Sequence, residues 1–253
     1  MIARSKEGGG CGVWGPRQES ELNKRGWTVL QQFVDHEMLA LLCAESNQAV
    51  ESEILDISRH SASLFGLSII GERYYVAGRW KKSPLLKKWL LQGNAGNLAK
   101  EVLDNEAYLF NDIFITKMPS DNTRFVWHQD GSYMYFNGMR DYEPNLCLWF
   151  ALDDMNSDNG ALNVVSYEDM GGARMLEHDL SRDWNREELT SATNLPFSTL
   201  EVKAGDVVVF TGYLLHSSGV NRSSMARRAH LVQYSPKPVY KDGVLFQGGV
   251  PVP

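Results

Sequence analysis

A β-sandwich or barrel preceded by a helical N-terminal region is the fold class that the sequence predicts. Three observations carry this expectation. Apolar residues recur at helical spacing only in the first 105 positions. From about residue 107 the period changes to two, and seven or so short strands follow, separated by turn residues. The 253 residues, 43% hydrophobic and 22% charged, suit a single well-cored globular domain.

The elements follow in order. Residues 1–20 are Gly-rich and polar, and a poorly ordered tail is expected there, with one domain spanning 21–253. GWTVLQQF (26–33) reads as a short strand. Asp35 is placed to cap a helix whose apolar face carries Met38, Leu41 and Leu42. Ser83-Pro84 opens a second helix, with Leu85, Leu86, Trp89 and Leu90 on one face and Gly93 as its stop. Another short helix is expected around 97–104. The strands are then AYLFNDIFITK (107–117), RFVWHQD (124–130), NLCLWFAL (145–152), ALNVV (161–165), STLEV (198–202), DVVVF (206–210) and RAHLVQY (228–234), with AGD (204–206) as a turn. Two connections are long: the aromatic-rich 131–144, and the mostly polar 166–197 with a short helix expected near Arg182–Leu189. Such loops in a compact domain serve as lids or as surface elaboration.

Composition excludes several function classes. Net charge is −6, and no basic stripe stands out, so binding to nucleic acid through counterion release is not expected. Lys81, Lys82, Lys87 and Lys88 read as a solvated helix face. Three widely spaced cysteines, Cys11, Cys43 and Cys147, make neither a disulfide framework nor a zinc knuckle. The N-terminal stretch lacks the apolar core of a signal peptide, and no apolar run reaches membrane-span length. A cytoplasmic location is therefore expected.

The chemistry concentrates at WHQDG, which begins at Trp127. On a strand, residues two apart face the same way, so His128 and Asp130 would lie side by side. An imidazole and a carboxylate are two-thirds of the triad of two histidines and one carboxylate that holds non-haem Fe(II) with open positions. His60, His178, His216 and His230 are candidates for the third ligand. His216 is preferred because it follows DVVVFTGYLL at a strand end and precedes the small residues Ser217, Ser218 and Gly219. Arg227 lies eleven residues later, near the start of the last core strand. A buried arginine needs a partner, and the planar guanidinium suits the carboxylate of a bound acid. Arg228 is its rival, since adjacent strand residues face opposite ways.

The order and spacing of GWTVLQQF, WHQD, LWFALDDMNSDNGALNVV and AGDVVVFTGYLLHSSGVNRSSMARRAHLVQY resemble the phytanoyl-CoA dioxygenase family of Fe(II)/2-oxoglutarate-dependent oxygenases, over about residues 26–236. The resemblance implies a double-stranded β-helix (jelly roll) with flanking N-terminal helices. It implies that His128, Asp130 and His216 bind Fe(II). Arg227 would hold the distal carboxylate of 2-oxoglutarate, shared with Ser218, and Lys117, Trp149 and Gln129 would line the cosubstrate pocket. It implies O₂ as co-reactant, release of succinate and CO₂, and hydroxylation of a small molecule, a specialised metabolite or amino-acid-like compound. Desaturation, cyclisation and epimerisation begin with the same hydrogen abstraction. Halogenating relatives lack the carboxylate, so Asp130 disfavours halogenation. VVSYEDM (164–170) departs from the family pattern and leaves the substrate wall open. Tyr133, Met134, Tyr135 and Phe136 are candidates for that wall, and Arg140 and Arg174 for an anionic substrate. The rival class is a non-oxidative metal-binding jelly-roll enzyme, such as a zinc hydrolase. The sequence is silent on oligomeric state.

Overall fold

A computed structural model describes residues 13–60, 66–119, 122–136, 138–139, 143–183, 187–191, 194–245 and 249–253. Helix α1 (Pro16–Arg25) leads into β1 (Trp27–Leu30), and α2 (His36–His60) follows. Next come β2 (Arg73–Ala77), α3 (Pro84–Gln92), α4 (Asn94–Val102), β3 (Tyr108–Lys117), β4 (Phe125–His128) and α5 (Ser132–Tyr135). The rest of the chain supplies β5 (Leu146–Ala151), β6 (Leu162–Val164), β7 (Ser198–Leu200), β8 (Val207–Thr211), β9 (His216–Ser218) and β10 (Arg227–Ser235). A hairpin of β11 (Tyr240–Lys241) and β12 (Val244–Leu245) precedes β13 (Val250–Pro251).

Two antiparallel sheets form the jelly roll. The larger runs β1-β8-β5-β10-β3-β13, with β2 also paired to β3; the smaller runs β4-β9-β6-β7. Alternation sorts the side chains of each central strand between two cores. Leu148 and Phe150 of β5, Val209 of β8, and Val232 and Tyr234 of β10 pack outward against Leu42, Leu86, Trp89 and Leu90 of the helices. Cys147, Trp149, Phe210 and Leu231 point inward, against Leu162, Val164 and Leu200 of the smaller sheet. The helices therefore cover one face of the larger sheet and leave its other face to line the barrel interior.

Local chemistry explains the helix starts. Asp35 Oδ1 accepts from Met38 N at 2.8 Å, and Ser83 Oγ accepts from Leu86 N at 3.3 Å ahead of Pro84. The AGD turn is held by Asp206, whose carboxylate accepts from Gln32 N and Lys203 N, both at 2.8 Å.

Four expectations are corrected. Residues 16–20 belong to α1, with Pro16 at its first turn, so the tail expected through residue 20 ends sooner; residues 1–12 lie outside the described residues. Leu41 is exposed, because the apolar stripe of α2 turns through Leu42 and Ala49. No helix forms over the described part of Arg182–Leu189, where Asp179 instead accepts from Ser181 and Arg182 in a turn. The strand expected over 124–130 stops at His128, and Asp130 stands on the turn into α5.

Candidate active site

The ladder between β4 and β9 places His128 directly opposite His216, with ring centroids 4.2 Å apart. Each imidazole is oriented identically. His128 Nδ1–H donates to Val126 O at 2.7 Å, and His216 Nδ1–H donates to Leu214 O at 3.0 Å. A carbonyl only accepts, so both rings carry the proton on Nδ1 and present the Nε2 lone pair. Those two Nε2 atoms lie 3.6 and 3.7 Å from the same atom, Asp130 Oδ1. The second carboxylate oxygen, Oδ2, is held from behind by Cys147 Sγ–H at 3.3 Å and Gln233 Nε2 at 3.1 Å. The donor atoms of His128, Asp130 and His216 all fall within 4.8 Å of one another. Two neutral nitrogens and one anionic oxygen converging from one side fit a divalent metal held on one face.

Electrostatics favour the ligand forms. Burial, then the neighbouring His128, lowers His216 to about 4, so its nitrogen is unprotonated at neutral pH. Burial would raise Asp130, but His216 and His128 outweigh it and hold the carboxyl at about 2.

The interior face of the larger sheet supplies the rest. Lys117 and Arg227 are register partners on β3 and β10, and both are fully buried. Arg227 Nη2 donates to Ser218 Oγ and to Gly160 O, each at 3.0 Å. Its guanidinium carbon lies 5.6 Å from the centroid of the Trp149 ring. Trp149 lines a cavity of about 240 Å³ together with His128, Asp130, His216 and Ser218. Its buried indole N–H has no acceptor among the described residues. Lys117 Nζ donates to Thr123 O at 2.9 Å and to Gly219 O, which ties β3 to the end of β9. Arg228 faces the other way, in a two-pronged pair with Asp153 at 2.9 and 2.6 Å.

Three predicted residues stand elsewhere. Gln129 is fully buried but points away from the cavity. Its Nε2 donates to Arg174 O (2.9 Å) and Tyr213 O (2.6 Å), and its Oε1 accepts from Leu176 N (2.7 Å). Once the strand ends at His128, Gln129 turns to the opposite side and anchors the long loop. Tyr133 and Met134 line the cavity, whereas Tyr135 and Phe136 do not; these two rings pack against each other, and Phe136 against His178. Arg174 is exposed, and Arg140 lies outside the described residues.

Other roles emerge only in the fold. His178, from the long loop, accepts from Gln129 N at 3.1 Å, between two candidate ligands, while its Nδ1–H donates to Leu176 O. Glu188 accepts from Trp127 N at 2.7 Å and pairs with Arg124. The loop is thus fastened to β4 and the ligand turn. Gly160 has φ +79°, and a Cβ there would sit 2.6 Å from Gly219 O, so only glycine fits beside the Arg227–Ser218 pair. Tyr75 and Asn111, both cavity-lining, come from strands that carry them inward. The glycine in NGAL was the one available sequence signal among these.

The family profile for phytanoyl-CoA dioxygenase (PhyH) matches residues 22–229. Phytanoyl-CoA dioxygenase 1 of Oryza sativa subsp. japonica is 29% identical over 150 residues, which are 58% of this chain and 51% of the relative, so the chain spans about half the length of that relative. Among solved structures, the non-heme alpha ketoglutarate dependent carbocyclase SnoK from nogalamycin biosynthesis superposes with a TM-score of 0.70 at 19% identity, covering 97% of both chains. EctD from S. alaskensis, with 2-oxoglutarate and 5-hydroxyectoine, gives 0.72 at 17% identity, over 94% of this chain and 83% of that one. The structural likenesses establish the jelly-roll fold, and the profile, which takes in His128, Asp130 and His216, establishes that the chain belongs to the phytanoyl-CoA dioxygenase family of iron- and 2-oxoglutarate-dependent oxygenases.

Proposed function

We propose that this chain is an Fe(II)- and 2-oxoglutarate-dependent dioxygenase that hydroxylates a small molecule in the cytoplasm. The observation that carries the reading is the joint placement of two features in one barrel. Three donor atoms converge at His128, Asp130 and His216, and a buried guanidinium, Arg227, is steered by Ser218 beside the same cavity. A zinc hydrolase would use the triad alone and leave the arginine without a purpose.

Bound Fe(II), with 2-oxoglutarate and O₂, supplies oxidative decarboxylation of the cosubstrate to succinate and CO₂ and abstraction of hydrogen from an unactivated C–H bond. The protein's share is orientation and exclusion of water. Nδ1–H bonds to Val126 and Leu214 hold the two histidines in the ligating tautomer. Gln233 and Cys147 hold Asp130 so that only Oδ1 faces the metal position. Arg227, held by Ser218, would grip the distal carboxylate of the cosubstrate, and the Trp149 indole N–H would offer a further donor. Lys117 acts at one remove, by fastening the strand end that carries Ser218. Among the described residues no helix is long and apolar enough to cross a membrane.

The test is succinate formation from 2-oxoglutarate in air. Protein with Fe(II) should generate succinate above the protein-free rate, and EDTA or His216→Ala should abolish it. A protein that binds iron tightly yet forms no succinate with any metabolite pool would overturn the assignment.

A further inference from the structure

Strand register arranges the barrel interior in rows. Arg73, Lys117 and Arg227 form one row across β2, β3 and β10. Tyr75, Ile115 and Ala229 form the next, then Ile113, Leu231 and Trp149, then Asn111, Gln233 and Cys147. The first and last rows are six residues apart, roughly 20 Å along the strand. All the cationic side chains of this sequence of rows stand at one end, and the other end carries two neutral amides.

The cavity spans several of these rows, and its described lining includes none of Arg73, Lys117 and Arg227. Leu67, Tyr75, Phe110, Phe125 and Met134 wall it, and among its described lining residues the only titrating groups near the metal position are the three candidate ligands and the tyrosines. A charged substrate would lose its hydration there, and among the described lining residues the one carboxylate, Asp130, is already committed as a candidate ligand.

The amides are oriented by the ligand carboxylate. Asp130 Oδ2 is an acceptor, so the Gln233 group that meets it at 3.1 Å is Nε2. Gln233 Oε1 therefore faces Asn111 and accepts from Asn111 Nδ2 at 3.0 Å. That leaves Asn111 Oδ1, on a cavity-lining residue, with no hydrogen bond among the described residues. One acceptor stands open in a chamber whose described walls are mostly apolar away from the candidate ligands, the serines and the tyrosines.

We infer that the substrate is a neutral, largely apolar small molecule bearing a hydroxyl or N–H donor, and that Asn111 is the specificity-determining residue that receives this donor. Gln233 is a positioning residue that links this anchor to Asp130. The inference rests on the oxygenase reading and narrows it: a zwitterionic amino acid is disfavoured.

Anaerobic calorimetry on the protein loaded with Fe(II) and 2-oxoglutarate tests it. The probes are cyclohexanol, cyclohexyl methyl ether, cyclohexanecarboxylate and cyclohexylammonium. Cyclohexanol should bind five- to tenfold more tightly than the ether and more tightly still than either ion. Asn111→Leu should erase the preference for alcohol over ether, and Asn111→Asp should shift preference toward cyclohexylammonium. Equal or tighter binding of an ion by the unsubstituted protein, no binding of the alcohol, or an unchanged preference in both variants would overturn the inference. The visible band of the Fe(II)·2-oxoglutarate complex is read first in each protein. Its absence from the unsubstituted protein would sink the oxygenase reading, whereas its presence without the preference would sink only this inference.

Discussion

Replacing Gln129 with leucine should damage stability far more than cosubstrate binding. The residue makes three side-chain hydrogen bonds in the structure, to Arg174 O, Tyr213 O and Leu176 N. Leucine fills a similar volume and satisfies none of them. The bond from Leu176 N is fully buried, so its loss strands a buried donor at about 1–3 kcal/mol. The two carbonyls are partly buried and recover some hydration, at about 0.5–1.5 kcal/mol each. The total is about 2–6 kcal/mol, or a fall in Tm of roughly 4–24 °C for a domain of this size. Urea unfolding of the metal-free protein, followed by tryptophan fluorescence, measures it. The apparent KM for 2-oxoglutarate should stay within about twofold once the variant is folded. A stability loss under about 1 kcal/mol, with a raised KM, would restore Gln129 to the cosubstrate pocket and refute the assignment of this side chain as a loop anchor.

The adjacent arginines separate cleanly. Arg227→Ala should raise the KM for 2-oxoglutarate roughly ten- to hundredfold through loss of charge-assisted bonds, and steady-state kinetics would show it. Arg228→Ala should instead leave that KM unchanged and cost about 1–2 kcal/mol of stability, because it leaves Asp153 alone in a half-buried pair. Gly160→Ala should reduce both stability and 2-oxoglutarate affinity, since the positive φ and the contact with Gly219 O distort the carbonyl that Arg227 uses; thermal melts and titrations read the two effects. Burial lowers His178 from 6.5 to about 4, so between those values the unfolded chain binds a proton that the fold refuses. Stability of the metal-free protein therefore rises with pH across that window and is lost on acidification, by roughly 3 kcal/mol for this imidazole. His178→Gln, which keeps an acceptor for Gln129 N but does not titrate, should flatten the slope of stability against pH between 4 and 6.5.

Much of the architecture was legible because it rests on local periodicity. The alternation in 145–152 and 228–234 marked these segments as strands, and the structure then sends Phe150 to the helices and Trp149 and Leu231 to the interior. The clustering of His128 and Asp130 with His216 was legible too, although for a reason that needed correction. Asp130 meets the histidines from a turn and not from the strand, so the rule of same-facing alternate residues does not apply to it. That same turn is why Gln129 faces the loop. What stayed hidden was non-local. Nothing near His178 in sequence announces that it docks on Gln129 N, 49 positions away, and the open acceptor on Asn111 follows only from a chain of bonds through Gln233 to Asp130. β2 escaped notice because its residues alternate between Arg73 and Tyr75 on one face and Tyr74 and Val76 on the other, without an apolar run.

The most direct test of the central claim is an anaerobic titration of metal-free protein with Fe(II) and 2-oxoglutarate, watched for the weak visible charge-transfer band of a chelated cosubstrate. The account predicts a band that requires both additions, disappears in His216→Ala and needs far more 2-oxoglutarate in Arg227→Ala. Absence of the band, with tight zinc binding in its place, would contradict the account and leave a non-oxidative metal barrel.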